Sequence, residues 1–89
     1  MVIKKGFLLR NVANTNIVVP VAQNALHFKG MLSLNETGAF LWKCIEKSCT
    51  KEELLEQFLE EYDVERDVAK KDIEEFLEKV RSYGALDED

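Results

Sequence analysis

The sequence predicts one α+β domain in which three N-terminal antiparallel strands are followed by three helices, in the order βββααα. Its 89 residues, of which 46% are apolar and 33% charged, suffice for one hydrophobic core and are too few for two domains. Dense β-branched and alternating apolar residues occupy the chain up to Leu34, and the apolar residues after it recur at helical spacing. We therefore treat residues 1–89 as a single domain, with a core that spans residues 7–86.

The first third of the chain has the composition of strands. The first two predicted strands are residues 7–12 and 17–21, and residues 14–16 between them are a turn signal. Pro20 has no N–H group, so it has to lie where the ladder needs no donor. From residue 26 to residue 34, every second position is apolar or Gly, which predicts a third strand ending at Leu34 and clearest from residue 30 onward.

Three helices are predicted for the remaining two thirds, each with its own boundary signals. Asn35 is a favourable N-cap for the first helix, which should end near Lys47. Thr50 and Glu53 match a capping box at the start of the second helix, and Gly84 is the expected end of the third. The apolar stripes predicted to face the core are Phe40, Leu41, Cys44 and Ile45 in the first helix, Leu54, Leu55, Phe58, Leu59 and Tyr62 in the second, and Val68, Ala69, Ile73, Phe76, Leu77 and Val80 in the third.

Two apolar features lie outside these stripes. Trp42 is about 200° around the helix from Phe40, so it either extends the core on another side or packs against a partner, and we favour the core. Ala85 and Leu86 follow the third helix and should fold back as a short apolar tail.

Short strands followed by three helices with brief turns predict a winged helix-turn-helix in which the wing comes first. This topology raises the possibility of DNA binding, because such folds commonly place the third helix in the major groove. Residues 65–84 carry five basic and six acidic side chains, and the whole chain has a net charge of -5, so both oppose contact with phosphates. Nucleic acid is therefore not the expected partner, and a DNA-binding module is kept as an alternative.

Several other classes of function have no support in the sequence. The longest apolar run, residues 17–22, is far shorter than the roughly 20 residues that cross a bilayer, and no secretory signal opens the chain. We therefore expect a cytoplasmic protein with no membrane contact, in which Cys44 and Cys49 are thiols. His27 has no catalytic partner at a recognisable spacing, so we expect no metal, no cofactor and no enzyme activity.

An uncharged segment without Pro, residues 30–34, lies in the third predicted strand. A three-stranded sheet leaves two open edges, and natural proteins usually protect such edges. This segment is therefore either covered by a helix of the chain or open to a visiting strand, as in peptide recognition by strand addition. A helix beside the edge would form a groove.

The edge could also pair with the same edge of a second copy of the chain. The oligomeric state is therefore expected to be a monomer or a weak dimer, and a dimerisation module is a further alternative.

Charge is unevenly divided along the chain. Residues 1–34 hold four basic side chains and no acid, whereas residues 35–89 hold eight basic and 17 acidic side chains. A groove between the third strand and the third helix would then have a positive sheet wall. Its mixed helical wall would include Lys70, Lys71, Lys79 and Arg81. Such rim charges, worth about 0.2 to 1 kcal/mol each, would favour an acidic peptide.

Residues 34–42, which read Leu-Asn-Glu-Thr-Gly-Ala-Phe-Leu-Trp, resemble the LNETGAFLW signature of PqqD-like proteins, named for pyrroloquinoline quinone synthesis protein D. Other short motifs of the chain also resemble those of PqqD-like proteins and occur in the same order, so the resemblance covers residues 7–86. These motifs are Leu9-Arg10, Val18-Val19-Pro20-Val21, Phe28-Lys29-Gly30-Met31, Tyr62-Asp63-Val64, Asp72-Ile73-Glu74-Glu75-Phe76-Leu77 and Gly84-Ala85-Leu86. One departure is Glu65, where Asp or Ser would be the better N-cap.

The resemblance implies a winged helix-turn-helix known as a RiPP recognition element, a peptide chaperone that binds the leader segment of a ribosomally made precursor peptide. The leader would add to the third strand in the cleft with the third helix and be presented to a modifying enzyme, often a radical-SAM protein. The sequence does not show which flank of the third helix lines the cleft. Alternatively, all residues of its apolar stripe belong to the core or its border. The implied peptide-binding residues are Met31, Leu32, Ser33 and Leu34 on the strand, and Asp72, Ile73, Phe76, Leu77 and Val80 on the helix.

Overall fold

The three strands of the main sheet precede the three α-helices, which confirms the predicted α+β class. The computed structural model describes residues 1–26 and 30–88. In chain order, the elements of these residues are β1 (Val2–Ile3), β2 (Phe7–Val12), β3 (Thr15–Pro20), a 3-10 helix (Ala22–Leu26), β4 (Leu32–Leu34), α1 (Glu36–Glu46), α2 (Lys51–Glu61), α3 (Arg66–Tyr83) and β5 (Leu86–Asp87).

The main sheet is antiparallel, with the strand order β2-β3-β4. Ala13 and Asn14 form the turn of the β2-β3 hairpin, with φ values of 51° and 65°, and Val12 lies opposite Thr15. Positive φ at both central residues matches the right-handed twist of the strands. The predicted turn at residues 14–16 was therefore too late in the sequence, because Ala13 gives no turn signal.

The predicted third strand is β4, and it is shorter than expected. Leu26, the first residue of the predicted pattern, ends a 3-10 helix (Ala22–Leu26) and is 79% exposed, and β4 begins at Leu32. The side chain of Asn24 anchors this helix by donating to the carbonyl oxygens of Lys5 (3.0 Å) and Gly6 (3.1 Å). These contacts outweigh the alternating pattern that predicted a strand. Residues 27–29, which include His27, lie outside the described part of the chain.

A second, two-stranded sheet joins residues that are far apart in the sequence. β1 pairs antiparallel with β5, so that Ile3 lies opposite Leu86, and the Lys4 N–H donates to the Ala85 carbonyl at 2.9 Å. The predicted apolar tail therefore does fold back. Its partner strand β1 was not predicted, because two residues are too short to show a periodic pattern.

The helix boundaries follow the predicted capping residues. Thr50 and Glu53 form the expected capping box, with hydrogen bonds of 2.8 and 3.1 Å. α3 ends at Gly84, whose φ of 96° is the left-handed conformation that favours Gly. Glu65, at the N-cap of α3, makes no capping hydrogen bond with its side chain to any of the described residues.

The core lies between the inner face of the sheet and the three helices. Trp42 is 0% exposed, and its indole Nε1 donates to the Glu46 carboxylate at 3.1 Å, so its predicted place in the core is confirmed. The prediction for Val68 was wrong, because this side chain is 49% exposed and the next residue, Ala69, takes the buried position. The predicted stripe of α3 spans nearly half of the helix, which is wider than the face that the core covers.

Candidate functional site

The hydrogen-bond phase of β3 determines which backbone groups of β4 face outward. The Val21 N–H donates to the Gly6 carbonyl at 2.9 Å, so this pair belongs to the hydrogen-bonded set of the β2-β3 ladder. Hydrogen-bonded and non-hydrogen-bonded pairs alternate along an antiparallel ladder. Asn16 and Val18 therefore direct their backbone groups away from β2 and toward β4. Pro20 is two residues after Val18 and has the same orientation. The position that an N–H would occupy therefore faces the β4 side, beyond the residues of β3 that pair with β4.

On β4, the same alternation leaves Ser33 facing outward. Leu34 lies opposite Asn16, and Leu32 lies opposite Val18, so both residues bond to β3. The N–H and carbonyl of Ser33 point to the other side, where no further strand of the described residues pairs. β4 therefore presents an open edge whose outward donor and acceptor are the backbone groups of Ser33.

α3 runs antiparallel beside this open edge and bonds to it through side chains. Lys79 Nζ donates to the Ser33 carbonyl oxygen at 2.8 Å, and the Tyr83 hydroxyl donates to the Gly30 carbonyl oxygen at 2.9 Å. The Tyr83 ring packs against Phe7 of β2, with 5.6 Å between centroids. Burial raises the pKa of Tyr83, so its hydroxyl stays protonated as a donor at neutral pH.

A cleft of about 320 Å³ opens between α3, the end of β4 and the first turn of α1. Its apolar floor is formed by Leu34, Leu41 and Phe76, all of them largely buried. The polar lining comes from α1 and α3: it consists of Asn35, Thr37, Asp72, Glu75 and Lys79, together with the backbone of Gly38.

The first turn of α1 forms a rigid wall of this cleft. Asn35 Oδ1 accepts hydrogen bonds from the Gly38 N–H at 2.8 Å and from the Thr37 hydroxyl at 3.1 Å. A Cβ atom on Gly38 would lie 3.1 Å from Asn35 Oδ1 and 3.4 Å from Leu34 Cβ. Residues 34–38 therefore build a compact helix cap, in which any side chain at position 38 would be in tight contact with Asn35.

The structure brings only some of the implied peptide-binding residues to the cleft. Leu34, Asp72 and Phe76 line it. Ser33 is exposed at the open edge, and Met31, two residues earlier, is 66% exposed.

The other implied residues lie elsewhere. Leu32 is buried on the core side of β4, and Leu77 and Val80 are 0% exposed within the core. Ile73 lines a separate groove between α2 and α3, together with Lys70 and other residues. The flank of α3 at the cleft is therefore the one that carries Asp72, Glu75, Phe76 and Lys79.

Sequence reasoning expected Lys79 on the helical wall but missed Glu75 and Tyr83, which lie on the same side of α3. Their spacing was the available signal, because residues three or four apart share a helix face. Of the four cations expected on the helical wall, Lys79 alone lines the cleft. Arg81 instead pairs with Glu78 at 2.7 Å and with Glu88 at 2.9 Å. The described basic residues of the strand half, Lys4, Lys5 and Arg10, do not line the cleft.

No helix in residues 1–26 and 30–88 is long and apolar enough to span a bilayer. In the same ranges, no group of three or more His, Cys, Asp or Glu side chains has an arrangement that could hold a metal ion.

Two solved structures share this fold over nearly the whole chain. One is TbiB1 in complex with the TbiA(beta) leader peptide, with 20% identity and a TM-score of 0.73, and the alignment covers 98% of this chain and 100% of that one. The other is lasso peptide synthetase B1 complexed with the leader peptide, with 16% identity, a TM-score of 0.72 and coverage of 93% and 92%. At these identities the likeness establishes the fold.

The predicted winged helix-turn-helix fits the fold of PqqD-like proteins. No curated protein matches the chain. The family model of coenzyme PQQ synthesis protein D (PqqD) matches residues 24–86, which is most of the sequence. The chain therefore belongs to the family of coenzyme PQQ synthesis protein D.

Proposed function

We propose that the protein is a peptide-binding adaptor with no chemistry of its own. It binds the leader segment of a ribosomally made precursor peptide as an additional strand on β4, in the cleft with α3, and presents it to a modifying enzyme. The observation that carries this proposal is the open edge at Ser33, which lies on an uncharged strand directly beside a cleft with an apolar floor.

Strand addition fits the groups available at this edge. A peptide backbone can bond both to the N–H and to the carbonyl of Ser33, and such main-chain bonds provide affinity without reading sequence. The apolar surface of Leu34 and Phe76 can accept a side chain of the peptide, and this contact provides selectivity. Leu77 and Val80 are not included, because both lie within the core.

Lys79 does not block this mode of binding. Its bond to the Ser33 carbonyl is exposed, so water can hydrate the ammonium as soon as the bond is broken. An incoming peptide N–H can replace the ammonium as donor to the same oxygen, so little is lost in the exchange.

The comparisons support this function by analogy. Both structural neighbours are described as bound to leader peptides, and the chain is a member of the PqqD family. The modifying enzyme that we propose as the recipient is a radical-SAM protein, which the resemblance to PqqD-like proteins implies.

A matched pair of Ser33 variants tests the proposal. The probe is the synthetic leader segment of a short precursor encoded beside the gene of this protein. Added to the ¹⁵N-labelled protein, it should shift amide signals of residues 30–34 and of α3. Ser33→Pro removes an N–H that β3 does not use, so the fold should persist while affinity falls about ten-fold, which is equivalent to one hydrogen bond.

Ser33→Ala is the control, because it keeps the N–H and should bind like the wild type. Equal affinity of the Ser33→Pro variant would contradict strand addition at β4. Shifts that lie mainly outside β4 and α3, or no binding at all, would contradict the proposed function itself.

The open edge could instead pair with its own copy, so the free protein needs a separate measurement. We propose that the protein is a monomer or a weak dimer in solution. Light scattering should then give 10.3 kDa at low concentration. A stable mass of twice this value would favour a dimerisation module, in which the partner's strand occupies the edge.

A further inference from the structure

The cleft has a fixed order of polar groups along its length. Tyr83 contacts Gly30, and Lys79 contacts Ser33, so α3 runs antiparallel to β4. Farther along, Glu75 and Asp72 share the cleft with the first turn of α1. The ammonium of Lys79 therefore lies beside Ser33, and the end of the cleft near α1 carries two carboxylates.

These three charges are not neutralised by their neighbours. Among the described residues, Asp72 and Glu75 form neither a hydrogen bond nor an ion pair with any side chain. Within residues 1–26 and 30–88, Lys79 bonds only to an uncharged carbonyl oxygen. On the same helix, by contrast, Arg66 pairs with Glu56 and Arg81 with Glu78. Among the described residues of α3, the charged groups without an ion-pair partner thus include the carboxylates of Asp72 and Glu75 and the ammonium of Lys79. All three line the cleft beside the open edge.

We propose that this charge order selects the order of charged residues in the bound peptide. The peptide runs antiparallel to β4, with a basic side chain toward its N-terminal end and an acidic side chain toward its C-terminal end. This inference rests on the proposed function and specifies the substrate of the same site. It replaces the expectation of a generally acidic peptide.

The direction follows from the ladder. Both neighbouring pairs in the sheet are antiparallel, and antiparallel pairing is slightly more stable per residue than parallel pairing. An antiparallel peptide enters beside Leu34, where Asp72 and Glu75 meet its basic residue. It then passes Ser33, where Lys79 meets its acidic residue, and continues toward Gly30.

The spacing of the two charges follows from helix and strand geometry. Glu75 and Lys79 are one turn apart, about 6 Å along the helix axis. A strand advances about 3.3 Å per residue, and every second side chain faces the same way. The acidic residue of the peptide therefore follows the basic residue by two positions, or by four when Asp72 is the partner.

When the peptide N–H takes over the Ser33 carbonyl, Lys79 is released next to the peptide. Its ammonium has lost a neutral acceptor and lies within reach of a carboxylate. A bond between the ammonium and a carboxylate joins two opposite charges, whereas the bond that it replaces joins the ammonium to an uncharged carbonyl. Lys79 is therefore the residue that determines specificity at this end of the cleft.

Selection from a phage-displayed library of random 12-residue peptides tests the inference. We compare the wild type with the double variant Glu75→Lys and Lys79→Glu, which keeps the net charge and reverses the order. The wild type should enrich peptides with the order basic, any residue, acidic, and the double variant should enrich the opposite order. Synthetic copies of the enriched peptides should lose about three-fold in affinity when the acid is replaced by its amide.

The double variant Glu78→Arg and Arg81→Glu is the matched control, since it reverses an ion pair of the same helix outside the cleft lining. It should enrich the wild-type order. Wild-type peptides that shift the amides of β4 but have no charge order, or the reverse order, would overturn this inference and leave the proposed function intact. An unchanged order in the Glu75 and Lys79 variant would also overturn it. Failure to enrich peptides that shift the amides of β4 would overturn both.

Discussion

Lys79 shows how a single side chain can protect an edge strand without closing it. Natural proteins often discourage unwanted pairing at sheet edges with Lys on the edge strand itself. Here the Lys comes from α3 and reaches across to the Ser33 carbonyl, 46 residues away in the sequence. Because this contact is a single exposed side-chain bond, it gives the Ser33 carbonyl a partner while β4 stays an edge strand among the described residues.

Burial of the two thiols predicts a loss of stability at alkaline pH. Burial raises the pKa values of Cys44 and Cys49 above the ordinary value of 9.0, so the folded protein keeps both protons after the unfolded chain begins to lose them. The unfolded state then binds fewer protons than the folded state, and the free energy of unfolding should fall as pH rises above about 9. Urea unfolding, followed by Trp42 fluorescence at about pH 7.5 and about pH 9.5, measures this change.

The double variant Cys44→Ala and Cys49→Ala is the control. It should be less stable at both pH values, because it loses buried volume, but its stability should depend less on pH over the same interval. Tyr62 and Tyr83, whose pKa values burial also raises from 10.0, act in the same direction only at higher pH. A stability that stays constant or rises between the two pH values would contradict the assigned burial of the thiols.

At the scale of single elements, local signals predicted more than long-range ones did. The caps at Asn35, Thr50 and Gly84 are confirmed, because each depends on residues within one helical turn. The 3-10 helix at Ala22–Leu26 and strand β1 were not predicted. Both are held by contacts with residues at least 18 positions away, which leave no periodic pattern in the local sequence.

The N-cap of α3 offers a stabilising substitution. Glu65 has the extended backbone of an N-cap, yet its side chain makes no capping bond to any of the described residues. Glu65→Ser or Glu65→Asp places an oxygen where it can accept from the backbone N–H of Val68, the third residue of the helix. The free energy of unfolding should rise by about 0.5 to 1 kcal/mol in urea titrations.

Asn35→Ala provides the opposite comparison, since it removes the acceptor of the Gly38 N–H and should lower the free energy of unfolding by about 1 kcal/mol. Glu65→Ala, which has no oxygen to offer, should not reproduce the gain of Glu65→Ser. If all three Glu65 variants have the same stability, the cap of α3 is not a weak point of the fold.

For the molecule as a whole, the order of strands and helices could be predicted from the sequence. Which side of each helix faces the core and which borders the cleft could not. The apolar stripe of α3 was correctly assigned to a face that packs inward, yet it did not reveal which flank borders the cleft. That choice depends on how α3 lies against β4, which Lys79 and Tyr83 help to fix through contacts 46 and 53 residues apart in the sequence. Such contacts are set by the packed fold and have no counterpart in helical periodicity.

The division of charge between the two halves also has a different role from the one expected. The four cations of residues 1–34 suggested a positive sheet wall, but the described ones do not line the cleft. Its charged lining comes from α3 alone, with Asp72 and Glu75 at one end and Lys79 at the other. The position of each charge along the groove is therefore more informative than the net charge of either half.

The same charges predict that the protein does not bind DNA, although its fold is a winged helix-turn-helix. On α3, Arg66 and Arg81 are engaged by carboxylates, and Lys79 is engaged by the edge of β4, so no continuous basic stripe remains among its described residues. Phosphate contacts by Lys and Arg provide most of the affinity for nonspecific DNA, with dissociation constants of about 10⁻⁴ to 10⁻⁶ M for proteins that do bind. Fluorescence anisotropy of a labelled duplex of about 20 base pairs, at about 50 mM salt, should stay flat up to about 50 µM protein.

The variant Glu74→Lys and Glu78→Lys is the positive control for this measurement. It changes the net charge from -5 to about -1 and places basic residues along an exposed face of α3, so its anisotropy should rise and then fall as salt is added. A salt-sensitive rise with the wild type would favour the DNA-binding alternative. In that case α3 would have to contact phosphates through Lys70 and Lys71, because the other three cations of the helix are held by contacts within the protein.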